Sequence, residues 1–214
     1  RIASREDGIE IAGWYIAGDT DAPAVVVVHG LGACKHAHQV LVPASMLWQN
    51  GFNVLVIDVR DVGDSTQEDG RTAIGNEEYL DVLGAWDWLA TEKGIDPDRI
   101  GLLGNSLGAA TVMNAFSQEP GVPAILVDSP PDNLAQIISE ELARNNVPQF
   151  MAPGILFMAR IVAGDDLLAH NPGDAVANSN GRPMLVLHGT ADERIDHRHS
   201  LQLRDRAAEL SADN

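Results

Sequence analysis

The sequence predicts an α/β fold, a mostly parallel central sheet with helices on both faces. Three observations carry that expectation. Short apolar runs at 24–28, 52–57, 99–103, 124–127 and 184–187 alternate with stretches of helical character. These runs are nearly continuous in Val, Ile and Leu, as strands buried on both faces are. Several of them end in turns that carry chemistry, at His29-Gly30, Asp58, Gly104-Asn105-Ser106 and His188-Gly189. The carboxyl ends of parallel strands face one crevice, so residues far apart in sequence can converge there.

The elements follow in order. Arg1-Ile2 reads as the end of a first strand, and residues 9–16 alternate loosely into a second, closed by Gly18-Asp19. Residues 24–28, one Ala and four Val, fit a central strand. A helix is expected over 43–49, with Pro43 opening it and Asn50-Gly51 stopping it. Beyond the strand 52–57, residues 58–75 read as an exposed loop rich in Asp and Gly. Asn76 is placed to cap a helix running to about Ala90, with Glu77 and Glu78 in its first turn and Leu80, Leu83 and Trp86 on one face. Asp96-Pro97-Asp98 turns the chain into the strand 99–103, and a helix from Leu107 to Gln118 ends at Glu119-Pro120-Gly121. Between the strands 124–127 and 184–187 the rhythm breaks. Two helical stretches, 134–145 and 154–163, are joined through Pro148 and Pro153. They predict a helical cap insertion at 132–168 in a core made of 1–131 and 169–214. A helix around 200–210 is the last element.

A chain of 214 residues can bury a full core as one domain. Its 31 acidic residues against 14 basic ones give a net charge of −17, which repels nucleic acid and anionic membranes and favours solubility. No apolar run reaches the roughly 18 residues of a membrane span, and no signal-peptide pattern is present, so a cytoplasmic protein is expected. Cys34 is the single cysteine, which excludes an internal disulfide. Cys34, His36 and His38 alternate, but that spacing is not a zinc pattern. Neither metal nor cofactor is expected.

The chemistry centres on Gly104-Asn105-Ser106-Leu107-Gly108, which fits G-x-S-x-G between a strand and a helix. That context puts a serine hydroxyl at the tip of a sharp elbow, with glycines keeping Cβ atoms out of the crossing. Upstream, the loop His29-Gly30-Leu31-Gly32 can present the Leu31 N–H to a developing oxyanion. The Leu107 N–H, at the start of the following helix, is the second donor. Downstream, Asp192 follows the strand 184–187 and can orient a histidine, with Glu193 beside it. Asp128 is the alternative acid, although it also suits a cap for the turn Ser129-Pro130-Pro131. In the insertion, Phe150, Phe157 and Met158 could face an acyl chain or pack the insertion onto the sheet.

These three segments together resemble the α/β-hydrolase superfamily over nearly the whole chain. Gly13-Trp14-Tyr15, Asp58-Val59-Arg60, Asp81 with Trp86-Asp87-Trp88-Leu89, and Asp128-Ser129-Pro130 resemble its serine esterase and lysophospholipase-like branch. The dienelactone-hydrolase and prolyl-peptidase branches are similar in layout. The resemblance implies Ser106 as nucleophile, Asp192 as acid, Leu31 and Leu107 as oxyanion donors, and a carboxylic ester as substrate. Thioesterase, acyltransferase and peptidase chemistry share this machinery, and a non-catalytic binding protein could share the fold.

Two departures stand out. Arg60-Asp61-Val62-Gly63 replaces the R-G-H-G that members often carry. The superfamily order also places a histidine one strand beyond the acid, whereas only 22 residues follow Asp192. His197 and His199 follow the acid too closely for a separate strand-end loop, His29 and His188 precede glycines, His36 and His38 flank the oxyanion loop, and His170 lies in the cap and could line the pocket. A base histidine beyond residue 214 and missing terminal strands are therefore expected. An exposed sheet edge would favour a homodimer by strand exchange.

Overall fold

A computed structural model of the chain describes residues 1–5, 8–162 and 166–212. Ala163, the expected end of the second insertion helix, lies outside them. The sheet has seven strands among the described residues: β1 (Ile2–Ala3), β2 (Glu10–Ile16), β3 (Ala24–Val28), β4 (Asn53–Asp58), β5 (Ile100–Asn105), β6 (Ile125–Asp128) and β7 (Met184–Leu187). Their order is β1-β2-β4-β3-β5-β6-β7. The first two pairings are antiparallel and the other four parallel, so the sheet is mostly parallel, as the sequence predicts.

The helices are α1 (His38–Gln49), α2 (Glu78–Thr91), α3 (Leu107–Gln118), α4 (Leu134–Arg144), α5 (Ala152–Val162), α6 (Asp174–Ala177) and α7 (Arg198–Ala212). The period-2 alternation of the strands divides the core. Val26, Val28, Leu55, Ile57 and Leu102 pack with α2, α3, α6 and α7 through Leu83, Leu89, Met113, Phe116, Val176 and Leu203. Val27, Val54, Val56 and Leu103 point the other way and pack on Val40 and Ala44 of α1. Helices therefore cover both faces.

Two boundaries differ from expectation. Helix α1 begins five residues before Pro43, which sits inside it. The proline removes one intrahelical donor there, and burial of Val40 and Ala44 against the sheet offsets the loss. Asn76 does not cap α2. Its side-chain amide donates to Ala73 O and Leu167 O, and its Oδ1 accepts from His170 N, tying this loop to the end of the insertion and the residues just after it. Glu78 does the turn-holding instead. Its buried carboxylate accepts from the N–H groups of Ala73 and Gly75 and from the Thr72 hydroxyl.

The loop after β4 is held by charge. Lys35 Nζ, buried, lies 2.6 Å from carboxylate oxygens of both Asp58 and Asp64. Arg60 forms a buried pair with Asp81, at 2.8 Å. Asp58, Arg60 and Asp81, noted in the sequence, are thus internal struts beneath the carboxyl edge of the sheet.

Candidate active site

Ser106 sits between β5 and α3 with φ 55° and ψ −116°, a conformation that costs a non-glycine residue about 1–3 kcal/mol. The crowding around it explains the flanking glycines. A Cβ on Gly104 would lie 2.1 Å from Gly108 O, and one on Gly108 would lie 2.5 Å from His29 O. Strand and helix can cross this tightly only without those side chains. Ser106 stands at the N-cap of α3, yet its side chain does not cap the helix. A serine in that position usually does so.

The loop after β3 presses on the elbow. A Cβ on Gly30 would lie 3.2 Å from both Ser106 Cβ and Asn105 O. Leu31, Ser106 and Leu107 line one cavity of about 280 Å³. The sequence-predicted donors and serine are therefore brought together. His29 is buried beneath them, with its Nδ1 2.9 Å from Gly30 O and its Nε2 accepting from Val59 N. Burial lowers its pKa below the ordinary value.

The rest of the cavity wall is mainly α4. Leu134, Ile137, Ile138 and Leu142 contribute to it, with Pro131 before the helix and Ile195 after β7. These α4 positions are spaced three and four apart, one apolar stripe of a helix. That spacing was legible in the sequence and identifies the wall better than apolar content does. Phe150, Phe157 and Met158 do not line this cavity. They are exposed at 84%, 63% and 52%, so the pocket-facing placement considered for them shifts to α4.

Asp192 lies on the loop between β7 and α7, the loop that also gives Arg194 and Ile195 to the cavity. Its Oδ1 accepts from Arg194 N at 2.8 Å and Ile195 N at 3.0 Å. Its Oδ2 is 3.6 Å from His188 Nε2, beyond hydrogen-bond reach. Partial burial opposes its charge, but the Ile195 and Arg194 N–H groups, Ser129 and His188 outweigh it, and the carboxyl stays below its ordinary pKa. Asp128 is engaged differently. Its Oδ2 accepts from Asn105 Nδ2 at 3.0 Å and its Oδ1 from the Ser129 hydroxyl at 3.3 Å, which ties β6 to the residue before Ser106.

Among the described residues no histidine lines this cavity. His188 is occupied by Ser200 Oγ at 2.6 Å and Ile195 O at 2.8 Å. His170 stacks edge-on against Tyr79. His199 is fully buried, with Nδ1 2.5 Å from Asp132 Oδ1 and Nε2 3.3 Å from Glu140 Oε2. Its two ring nitrogens are taken, so it is not available to Ser106. This carboxylate pair around His199 carries no local signal, because its members lie 67 and 59 positions away.

A model of the prolyl oligopeptidase family (Peptidase_S9) matches residues 39–213. The chain belongs to that family. Among curated relatives, the thiohydrolase aneE of Aspergillus aculeatus is 31% identical over 150 residues, covering 64% of this chain and 46% of that protein. The human protein ABHD12B is 30% identical over 193 residues, covering 85% of this chain and 49% of that protein. The chain thus spans about half the length of these two relatives. Among solved structures, the Pyrococcus furiosus esterase Pf2001 superposes with a TM-score of 0.75 at 23% identity, over 97% of this chain and 75% of that one. The alpha/beta hydrolase GrgF from Penicillium sp. sh18 reaches 0.75 at 16% identity, over 96% and 84%. The fold is that of the α/β hydrolases, and the prolyl-peptidase layout noted in the sequence is the one the family match selects. No described helix is long and apolar enough to cross a membrane.

Proposed function

We propose that the chain is the core of a serine hydrolase that cleaves small carboxylic esters, with α4 and α5 acting as a cap over the site. The observation that carries this reading is Ser106, held at positive φ at the base of an apolar cavity, beside the Leu31 loop. In this reading Ser106 Oγ attacks the acyl carbon, and the Leu31 and Leu107 N–H groups take the oxyanion. A histidine removes the serine proton and passes it to the leaving alkoxide. Water then attacks the acyl-enzyme, releasing the acid and restoring Ser106. The base is a histidine that none of the described residues lining the cavity supplies. Asp192, kept ionised by its loop, orients that base. This chemistry needs neither metal nor cofactor.

Strain at Ser106 supports the assignment, since a protein retains such a conformation where the surrounding structure enforces it. The apolar wall supports an acyl group as the part of the substrate that is gripped. A thioester is the second reading, favoured by the likeness to a thiohydrolase. The acyl half of the chemistry is the same, and the leaving group is a thiolate.

In the full-length protein, a fluorophosphonate probe labels Ser106. Ser106→Ala lowers kcat on p-nitrophenyl butyrate by roughly 10⁴–10⁶. Undiminished hydrolysis by that variant rejects the nucleophile. Asp192→Asn lowers kcat by about 10⁴ with the fold retained. The converse pattern, with the loss in Asp128→Asn, exchanges the two acids. Comparing butyrate as oxygen ester and as thioester at matched concentration separates the two substrate readings.

A further inference from the structure

The cavity wall is not held by apolar packing alone. Helix α4 is fastened to the segment that follows β7 by a set of charged contacts, and one of these is buried. His199, at the start of α7, stands between Asp132, just before α4, and Glu140, in its second turn. The His199 side chain has no exposed surface, Asp132 is 4% exposed and Glu140 15%. Both ring nitrogens face a carboxylate oxygen, at 2.5 Å and 3.3 Å. A neutral imidazole carries one N–H and can satisfy one of the two. The imidazolium satisfies both carboxylates, and the 2.5 Å contact to Asp132 Oδ1 then takes precedence at Nδ1 over the Asp132 backbone N–H, which lies 3.3 Å from the same nitrogen.

The other charged groups around it are accounted for. Arg198, the neighbour on α7, pairs with Glu140, and Arg206, two turns on, is 3.7 Å from Asp132 Oδ2. Asp196 and His197 lie on the preceding loop and are about half exposed. On the surface, Arg194 reaches Glu141, and Arg144 donates to the carbonyls of Glu193 and Arg194. These outer contacts are water-screened and weak individually. Glu141 and Arg194 both line the cavity, so the fastened seam is also the edge of the pocket.

We propose that His199 is a positioning residue that, as an imidazolium, clamps α4 to the start of α7 and thereby sets the grip of the cavity on the acyl group. The proposal rests on the acyl-hydrolase reading of the site. The sign of its pH dependence follows from the surroundings. Burial works against the charge, but the hydrogen bonds and charges of Asp132 and Glu140 outweigh it, and the pKa of His199 is raised above the ordinary 6.5. The clamp is therefore full below about pH 6.5 and is lost as pH rises through the raised folded value.

The test uses the full-length enzyme with p-nitrophenyl acetate and p-nitrophenyl octanoate between pH 6 and pH 9.5. The acetate is too short to depend on the α4 wall. In the wild type, KM for octanoate rises at least about fivefold across the alkaline range, and KM for acetate does not. In His199→Gln the octanoate KM is high and flat with pH, while kcat on acetate is kept. Glu140→Gln, which removes the longer contact, shifts the inflection downward and serves if His199→Gln does not fold. A wild-type pH profile retained by a folded His199→Gln or Glu140→Gln overturns the proposal. Equal loss of acetate and octanoate turnover in folded His199→Gln also overturns it. Binding of cis-parinaric acid to Ser106→Ala, followed by fluorescence over the same range, reads the clamp without turnover. A pH-dependent Kd that disappears in Ser106→Ala/His199→Gln supports the clamp even if ester hydrolysis proves not to be the activity. A pH-independent Kd in Ser106→Ala alone counts against it.

Discussion

The two helices of the insertion, α4 and α5, each run 11 described residues and meet opposite fates. Helix α5 is the more apolar, yet Ile155, Phe157, Met158 and Ile161 on it are exposed. Helix α4 is rich in Gln, Glu and Arg, yet its apolar stripe, Leu134, Ile137, Ile138 and Leu142, faces the cavity at Ser106. The difference lies in the pattern and in the anchors. An apolar stripe one face wide buries well when the opposite face can stay wet, which is the pattern of α4. Helix α4 also supplies Glu140, Glu141 and Arg144, which reach His199, Arg194 and Arg198. The charged contact of α5 with the next segment is an exposed pair, Arg160 with Asp166 at 3.4 Å. Hydrophobic content alone thus assigns the pocket to the wrong helix.

That contrast can be broken by substitution. The largest effect is expected at Leu134, fully buried at the start of α4. Leu134→Ala lowers unfolding stability by about 2–5 kcal/mol, read as a lower denaturant midpoint with unchanged slope. Phe150→Ala, before α5, stays within about 0.5 kcal/mol of the wild type. Comparable losses at the two positions would mean that α5 is packed as firmly as α4.

A smaller effect, on specificity, is expected at Ile138. Ile138→Trp fills the cavity and lowers kcat/KM for p-nitrophenyl octanoate relative to acetate by about 10–100-fold, with the fold intact. An unchanged ratio would place the acyl chain elsewhere. The smallest effect is expected at Phe157. Phe157→Ser changes the same ratio by less than about twofold, because the side chain is exposed and off the cavity. A large shift there would restore the pocket role that the sequence allowed for it.

Much of this protein is readable along the chain. The strands at 24–28, 52–57, 124–127 and 184–187 come within a residue of the observed β3, β4, β6 and β7, because continuous Val, Ile and Leu runs between turns suit buried parallel strands. The elbow at Ser106 is equally local. Two glycines four residues apart, a strand before and a helix after, suffice to demand the crossing that the structure contains. The misreadings are also local signals, overruled by tertiary contacts. Pro43 marks a helix start by its fixed φ, but α1 runs through it because Val40 and Ala44 find the sheet. Asn76 has the chemistry of a cap, but its amide is drawn to Leu167 O and His170 N, 91 and 94 positions away.

By itself, then, the sequence determined the fold class, the strand ends that bear candidate chemistry, and the position of Ser106. Each depends on dihedral preference, glycine sterics and one-sided burial, which act over a few residues. The tertiary structure alone decided which insertion helix forms the cavity wall, which carboxylates surround His199, and that no described histidine lines the cavity. Those outcomes depend on groups dozens of positions apart sharing one low-dielectric space, where a charge is retained only beside its partner.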